Sequence, residues 1–432
     1  MRELLAGGAS RDITPDSGLL QYNGPLLEPG DGAPLTVNAL CVQCGETAAA
    51  LVSVDTLFVD RAQVLQMREE CELATGIPGA NVCIAATHTH SSPPLGATFL
   101  AGEAADPLYV DSVIFAVREA VLAAHESQRP ASLYAGSCPT PGIEHCRRRL
   151  RPDGQARVGA SSVGHPEWRT ETTPDPTLTW ALLEDERAEP IAVMFAWPIH
   201  NNACTGRIYH ADLFGRAAEA LRDRLGSDVT TVTFAAPCGD IAWYDTSEPD
   251  FDRGDDFARR AAAVLADNVL EARAAARPID LTELRVASDV QIIPDRDWAD
   301  CTWCHDDCRG DSEVVRQRMR ERYDPENEAV RKRGRTHRPV EVQGFALGEF
   351  AIVTNPAELF CEFGTRIREQ SPFGVTMPVE LANDACGYVP YARSFEHGGY
   401  ETHRTCWTSR LVPEAGEMVA ERSLELLNRL RG

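Results

Sequence analysis

Nine apolar runs of about strand length recur along the chain, and stretches of helical period lie between several of them. That alternation constrains the fold more than any other feature. Side chains alternate sides on a strand and return every 3.6 residues on a helix, so the two patterns do not exchange roles. The strand-like runs are "TVNALCVQC", "TAAALVSVD", "NVCIAAT", "IAVMFAWP", "VTTVTFAAP", "LRVASDVQII", "VEVQGFALG", "EFAIVTNP" and "MPVELAN". Helical period marks "YVDSVIFAVREAVLAAHES", "ADLFGRAAEALRDRLG" and "GEMVAERSLELLNRLRG". "RAQVLQMREECELATG" ends at Gly76, which suits a left-handed C-cap, and "AELFCEFGTRIREQ" follows an Asn-Pro pair. Strands mixed with helices predict an α/β architecture, a mixed central β-sheet covered by helices. Gly45 sits at the turn of "LTVNALCVQCGETAAALVSVD", so part of the sheet is expected to be antiparallel.

Neither an internal repeat nor a low-complexity linker divides the 432 residues, and 43% of them are apolar. A single domain over 1–432 with a large core is expected. The charged, strand-poor stretch from about 295 to 340 reads as an insertion, on the surface or over the site. A formal net charge of −23 argues against a nucleic-acid partner and against an anionic membrane, since both need a basic face. "MRELLAGGASRDITP" reads as no secretory signal, and no run approaches the roughly 18 apolar residues of a membrane span. The expectation is a cytoplasmic chain whose fourteen cysteines are mostly reduced, buried hydrophobes. "CTWCHDDC" (Cys301, Cys304, His305, Cys308) stands apart. It offers four metal-binding side chains on one segment at a spacing that fits no standard zinc site, and it reads equally as a charged loop. The sequence leaves open whether the chain forms a homo-oligomer.

Chemistry gathers beyond the ends of the apolar runs. His88 and His90 follow "NVCIAAT", His200 follows "IAVMFAWP", Gly239 and Asp240 follow "VTTVTFAAP", Glu358 follows "EFAIVTNP", and Tyr388 follows "MPVELANDACG". Ligands of open α/β sheets bind outside the carboxyl ends of strands. On extended backbone, residues two apart face one side, so His88 and His90 can share a cavity. They serve equally as polar loop residues, and so does His200. A catalytic zinc takes a few N/O ligands and keeps one position open, so a supply of distant ligands is what the pair needs. Glu358 has a rival role. Asn355, Pro356, Ala357 and Glu358 match the N-cap, N1, N2 and N3 of a capping box. Asp212 reads as the N-cap of the helix that follows, with His210 lining a pocket.

Taken in order, "SRDITP", "ATHTHSSPP", "WPIHNNA", "PCGDIAW", "NPAELFCEFG" and "GYVPYARSFEHGGYE" resemble the motif series of the neutral/alkaline, non-lysosomal ceramidase family, over a length close to that family's catalytic domain. The resemblance implies that fold, an amide-bond hydrolase, and a zinc held by His88, His200, Glu358 and Tyr388. His90 then faces the cavity as an acid/base group. Tyr388 suits a second role, since a neutral phenol can donate to a developing oxyanion.

One departure matters. The family's Gly-Asp-Val-Ser-Pro motif carries a serine assigned as nucleophile, and here the stretch is "CGDIAWY", with Ala242 in its place. Hydrolysis must then use metal-activated water, with His90 or Asp240 moving protons. Asp240 fits equally as a carboxylate that orients a ligand histidine. Loss of the serine also turns the reading from ceramide toward an amide of a small soluble metabolite. In "HCRRRLRPDG", Arg148 is the candidate to hold an anionic group of that substrate, the rival being a solvated loop. An ester or lactam hydrolase with the same site, or a non-catalytic metal- or small-molecule-binding protein of the same fold, remain alternatives.

Overall fold

In a computed structural model, two β-sheets stack on one another and helices cover both outer faces. The structure describes residues 3–21, 26–96, 105–248, 250–281, 283–297, 336–404 and 408–432, with positions 317, 321, 328, 332 and 334 between them. The first sheet has eight strands: β1 (Leu4–Asp12), β2 (Thr36–Cys44), β3 (Thr47–Val54), β4 (Val82–Ala86), β5 (Arg129–Pro139), β6 (Thr177–Asp185), β7 (Pro190–Trp197) and β8 (Thr230–Ala235). Their order is β8-β7-β6-β5-β1-β2-β3-β4. The second sheet runs in sequence order, β9 (Leu284–Pro294), β10 (His337–Leu347), β11 (Phe350–Thr354) and β12 (Val375–Val379). The expected α/β class with a large mixed sheet is observed, and a second, four-stranded sheet stacks on it.

Period two explains the layering. Along β2, Leu40, Val42 and Cys44 enter the core between the sheets with Phe345, Phe350, Ile352 and Met377 of the second sheet. Val37, Ala39 and Cys41 face the other way, against α1 (Arg61–Thr75) and α2 (Pro107–Glu126). A strand covered on both faces reads as an almost continuous apolar run. Helices α3 (Asp212–Leu225) and α4 (Asp255–Ala275) cover the other half of the first sheet. Helices α5 (Cys361–Gln370) and α6 (Ala415–Arg431) cover the second. Gly76 closes α1 at φ 76°, its N–H donating to the Glu72 carbonyl, and β2 and β3 form the expected hairpin across Gly45.

Most neighbouring strands are antiparallel, but β3–β4, β7–β8 and β11–β12 are parallel, each joined through one helix. The carboxyl ends of these strands are sewn together. Ala236 N–H donates to the Trp197 carbonyl at 3.0 Å, Glu380 N–H to Ala235 at 2.9 Å, Asn355 N–H to Val379 at 2.9 Å, and Ala86 N–H to Leu381 at 3.1 Å. Five strand ends thus meet at one edge of the sandwich.

The charged insertion begins where β9 and β10 pair, at Pro294 opposite His337. Most of it, including Cys301, Cys304, His305 and Cys308, lies outside the described residues. The ten described free cysteines are all buried. Among the described residues, no helix is long and apolar enough to cross a membrane.

Candidate metal centre

His88 leaves β4 in a left-handed conformation, φ 64°. A side chain in that region costs about 1–3 kcal/mol and persists only where neighbours fix it. The segment after β3 does so. Thr87 N–H donates to the Val54 carbonyl and His88 N–H to the Thr56 carbonyl. The buried Asp55 accepts from the Thr87 hydroxyl at 2.9 Å and from the Thr36 amide and hydroxyl at 2.8 Å each. His88 Nδ1 lies 3.0 Å from the Leu57 carbonyl. A carbonyl only accepts, so Nδ1 carries the proton and Nε2 is bare.

His200 follows β7. The Asn201 side chain ties this turn to the other histidine loop, donating to the carbonyls of Thr87 at 3.1 Å and Ala211 at 3.3 Å. Glu358 and Tyr388 arrive together. Glu358–Leu359 is a short strand parallel to Tyr388–Val389, with Glu358 directly opposite Tyr388. This overturns the capping-box alternative. Helix α5 starts at Cys361, three residues too late for Glu358 to be its N3. The Asn355 side chain instead accepts from Ala357 N–H, the local turn that Asn favours.

Two polar atoms close on His88 Nε2. His88 Nε2 lies 3.2 Å from His200 Nε2 and 3.3 Å from Glu358 Oε2. Both histidines and Glu358 are 2% exposed. Glu358 Oε2 has no hydrogen-bond donor among the described residues. A buried carboxyl oxygen with no donor, beside two imidazoles, offers the ligand types of a small divalent cation, so these residues fit a zinc. Tyr388, the fourth residue that the resemblance implied, has its hydroxyl against the Glu358 carboxyl group. Half-buried His90 packs beside them, its ring centroid 5.0 Å from that of His88 and 5.1 Å from that of His200.

The electrostatics agree with ligation by neutral groups. Burial, then the Arg147 guanidinium, then His88 and His90 push the His200 pKa well below its ordinary value, so its imidazole is uncharged. Burial pushes the Tyr388 phenol well up, Arg147 partly opposing it and Glu358 adding to it. Tyr388 is therefore a neutral phenol.

Arg147, not Arg148, stands at this cluster. Arg147 Nη1 is 3.4 Å from His200 Nδ1, and its guanidinium carbon is 5.3 Å from the Tyr388 ring centre. Glu401 at 2.8 Å and the Gly239 carbonyl at 2.8 Å hold it. The substrate-binding expectation for Arg148 is corrected. Its side chain is fully buried and pairs with Glu171 and with Glu401 at 2.6 Å, leaving no charge for a ligand. Neighbours on an extended chain point to opposite sides, and only the register of the short strands here decides which arginine faces the histidines.

Asp240 is also redirected. Its carboxylate accepts from Thr172 at 2.8 Å, from the Cys361 amide at 2.8 Å and from Tyr391 at 3.3 Å, so it caps α5. No hydrogen bond joins it to His88 or His200. His210 spends both ring nitrogens on protein partners, Nδ1 accepting from Asp212 N–H at 2.8 Å and Nε2 donating to Asp255 at 2.9 Å. Asp212 starts α3 rather than capping it, and its carboxylate holds Ala203 N–H and Cys204 N–H. His88, His90 and His200 form one metal-sized group, and Cys204, His210 and Asp255 form another. Arg216 and Arg259 already neutralise Asp255, so a cation there would meet two guanidiniums.

The stacked sheets, with a histidine–carboxylate cluster at converging strand ends, define a neutral-ceramidase-like fold. Among solved structures the chain is similar to a ceramidase complexed with C2, at TM-score 0.75 and 16% identity over 100% of this chain and 76% of that one. It is also similar to the neutral ceramidase from Pseudomonas aeruginosa, at TM-score 0.73 and 17% identity over 100% of this chain and 75% of that one. At such identities the likeness is one of fold. No family model and no curated protein matches the chain.

Proposed function

We propose that this chain is a zinc-dependent hydrolase of an amide bond in a small molecule, with His88, His200, Glu358 and Tyr388 around the metal. The observation that carries the proposal is His88 Nε2 lying 3.2 Å from His200 Nε2 and 3.3 Å from the undonated Glu358 Oε2. Zinc, when bound, supplies Lewis acidity to a carbonyl oxygen and to water.

The protein's own residues supply the rest. The Leu57 carbonyl keeps His88 in the tautomer with a bare Nε2. Burial, and then Arg147, keep His200 uncharged. Tyr388, as a neutral phenol, donates a hydrogen bond to the carbonyl oxygen as negative charge develops on it. Alanine at 242 cannot attack, so water is the nucleophile. The water oxygen bonds to the carbonyl carbon, the C–N bond breaks, and the proton lost by water ends on the leaving nitrogen. His90, the cluster's histidine most open to solvent, carries that proton.

The test is zinc stoichiometry of the purified protein beside His88→Ala and Cys304→Ala, with turnover on a panel of N-acyl compounds, esters and lactams. About one zinc per chain, lost in His88→Ala and kept in Cys304→Ala, is expected, with amides the best substrates. Zinc retained in His88→Ala sinks the site. Zinc bound without turnover on any class makes the chain a binding protein.

A further inference from the structure

Segment 380–384 touches the strand ends that carry His88 and Glu358, although none of its residues belongs to the candidate centre. Leu381 and Asn383 are left-handed, at φ 55° and 66°, so the chain turns sharply twice as it leaves β12. On one side it grips β4, the strand before His88. Ala86 N–H donates to the Leu381 carbonyl at 3.1 Å, Asn383 N–H to the Ile84 carbonyl at 2.8 Å, and Ile84 N–H to the Asn383 side chain at 3.0 Å.

On the other side stands Glu380, fully buried. Its Oε2 accepts from Leu359 N–H at 2.9 Å and from Cys238 N–H at 3.3 Å, and its Oε1 lies 3.0 Å from Cys238 Sγ. Leu359 directly follows Glu358. Cys238 directly precedes Gly239, whose carbonyl holds Arg147. One carboxyl group therefore fixes the backbone that presents Glu358 and the backbone that anchors the cation beside His200. A covalent link to the β4 clamp runs through three residues.

We infer that Glu380 is a positioning residue of the metal centre, setting the place of the Glu358 carboxylate relative to His88 and His200. This rests on the zinc reading above. Groups that orient metal ligands typically change affinity about 10–100-fold when removed. Glu380 acts one peptide bond further out than a group bonded to a ligand side chain, so the lower end applies. The contact needs an acceptor for Leu359 N–H and not a charge. An amide supplies that acceptor and can also donate to Cys238 Sγ.

The experiment is zinc affinity of the full chain, measured by competition with a chelator for wild type, Glu380→Ala, Glu380→Gln and Cys238→Ala. Zinc Kd is expected to rise about tenfold in E380A. E380Q should stay within about threefold of wild type, and C238A, which keeps the Leu359 bond, should fall between them. The same order should appear in kcat more than in KM, a split that loss of stability alone does not produce. If E380A does not fold, E380Q and C238A carry the test. A tenfold loss in E380Q, or no loss in C238A with none in E380A, overturns the assignment. A wild type that binds no zinc overturns both this assignment and the zinc reading; tight binding unchanged in every variant overturns this one alone.

Discussion

Adding one methyl group to Gly239 probes the centre from behind. A Cβ there would meet the Glu358 carbonyl oxygen at 2.5 Å, the Glu358 carbonyl carbon at 3.0 Å and Phe360 Cδ1 at 3.1 Å. The closest clash is with backbone, which cannot rotate away. Ordinary contact lies near 3.4 Å, so the Glu358–Leu359 strand must retreat by roughly 0.9 Å. That strand is tied on its other edge to Tyr388–Val389, and Gly239 N–H itself donates to the Leu359 carbonyl at 2.9 Å. The retreat therefore moves Glu358 and Tyr388 together relative to His88 and His200. Misplacing reacting groups by about 1 Å costs on the order of 100-fold in rate. Overpacking a core costs about 1–3 kcal/mol of stability. Gly239→Ala should fold, lose about tenfold or more in zinc affinity by chelator competition, and lose about 100-fold in kcat. Gly206, where a Cβ meets nothing within 4 Å, is the control, and Gly206→Ala should match wild type. Wild-type zinc affinity and turnover in Gly239→Ala would refute the placement of Glu358 at the metal.

Three further outcomes follow from the same geometry. Burial lifts the Asp55 pKa to about 6, against the hydrogen bonds from Thr36 and Thr87 that lower it, so its folded value lies above its unfolded one near 4. Such a group stabilises less as pH rises through that interval. By urea denaturation wild type should therefore lose up to about 3 kcal/mol relative to Asp55→Asn between about pH 4 and 6, and a pH-independent difference would be wrong for a buried acid. Arg148→Met leaves Glu171 and Glu401 short of a buried partner; unfolding should show about 3–5 kcal/mol lost with KM unchanged, whereas a KM effect alone would restore a substrate-binding role. His90→Gln should keep its zinc and lose about 100- to 10,000-fold in kcat, and loss of zinc would make His90 a ligand.

How much could be read in advance depended on the range of each interaction. The hairpin around Gly45 and the end of α1 at Gly76 are local, because turn and cap residues bend the chain beneath themselves. Position beyond apolar runs marked His88, His90, His200, Asp240, Glu358 and Tyr388 alike, because strand ends are where backbone leaves the sheet and side chains can gather, and the resemblance singled out four of them as ligands. The capping-box rival for Glu358 was also a sound local pattern. It failed because pairing with Tyr388, thirty residues on, outweighed the helix start that Asn355 and Pro356 offered. The stretch of arginines from 147 to 149 was visible, but its orientation was not. Local sequence does not say that Glu401 lies between Arg147 and Arg148, or that Gly239 receives the first of them.

By itself, then, the sequence determined the α/β class, the apolar strands covered on both faces, and the residue types held at the strand ends. Those follow from periodicity and composition, which act over a few residues. Only the tertiary structure decided that two sheets stack rather than one, that Arg147 and not Arg148 faces the histidines, that Asp240 and His210 serve neighbouring backbone, and that Glu380 braces the centre. Each of those depends on which distant segments meet, and burial makes the choice. A charge or carboxyl removed from water takes whatever partner the packed chain brings within reach.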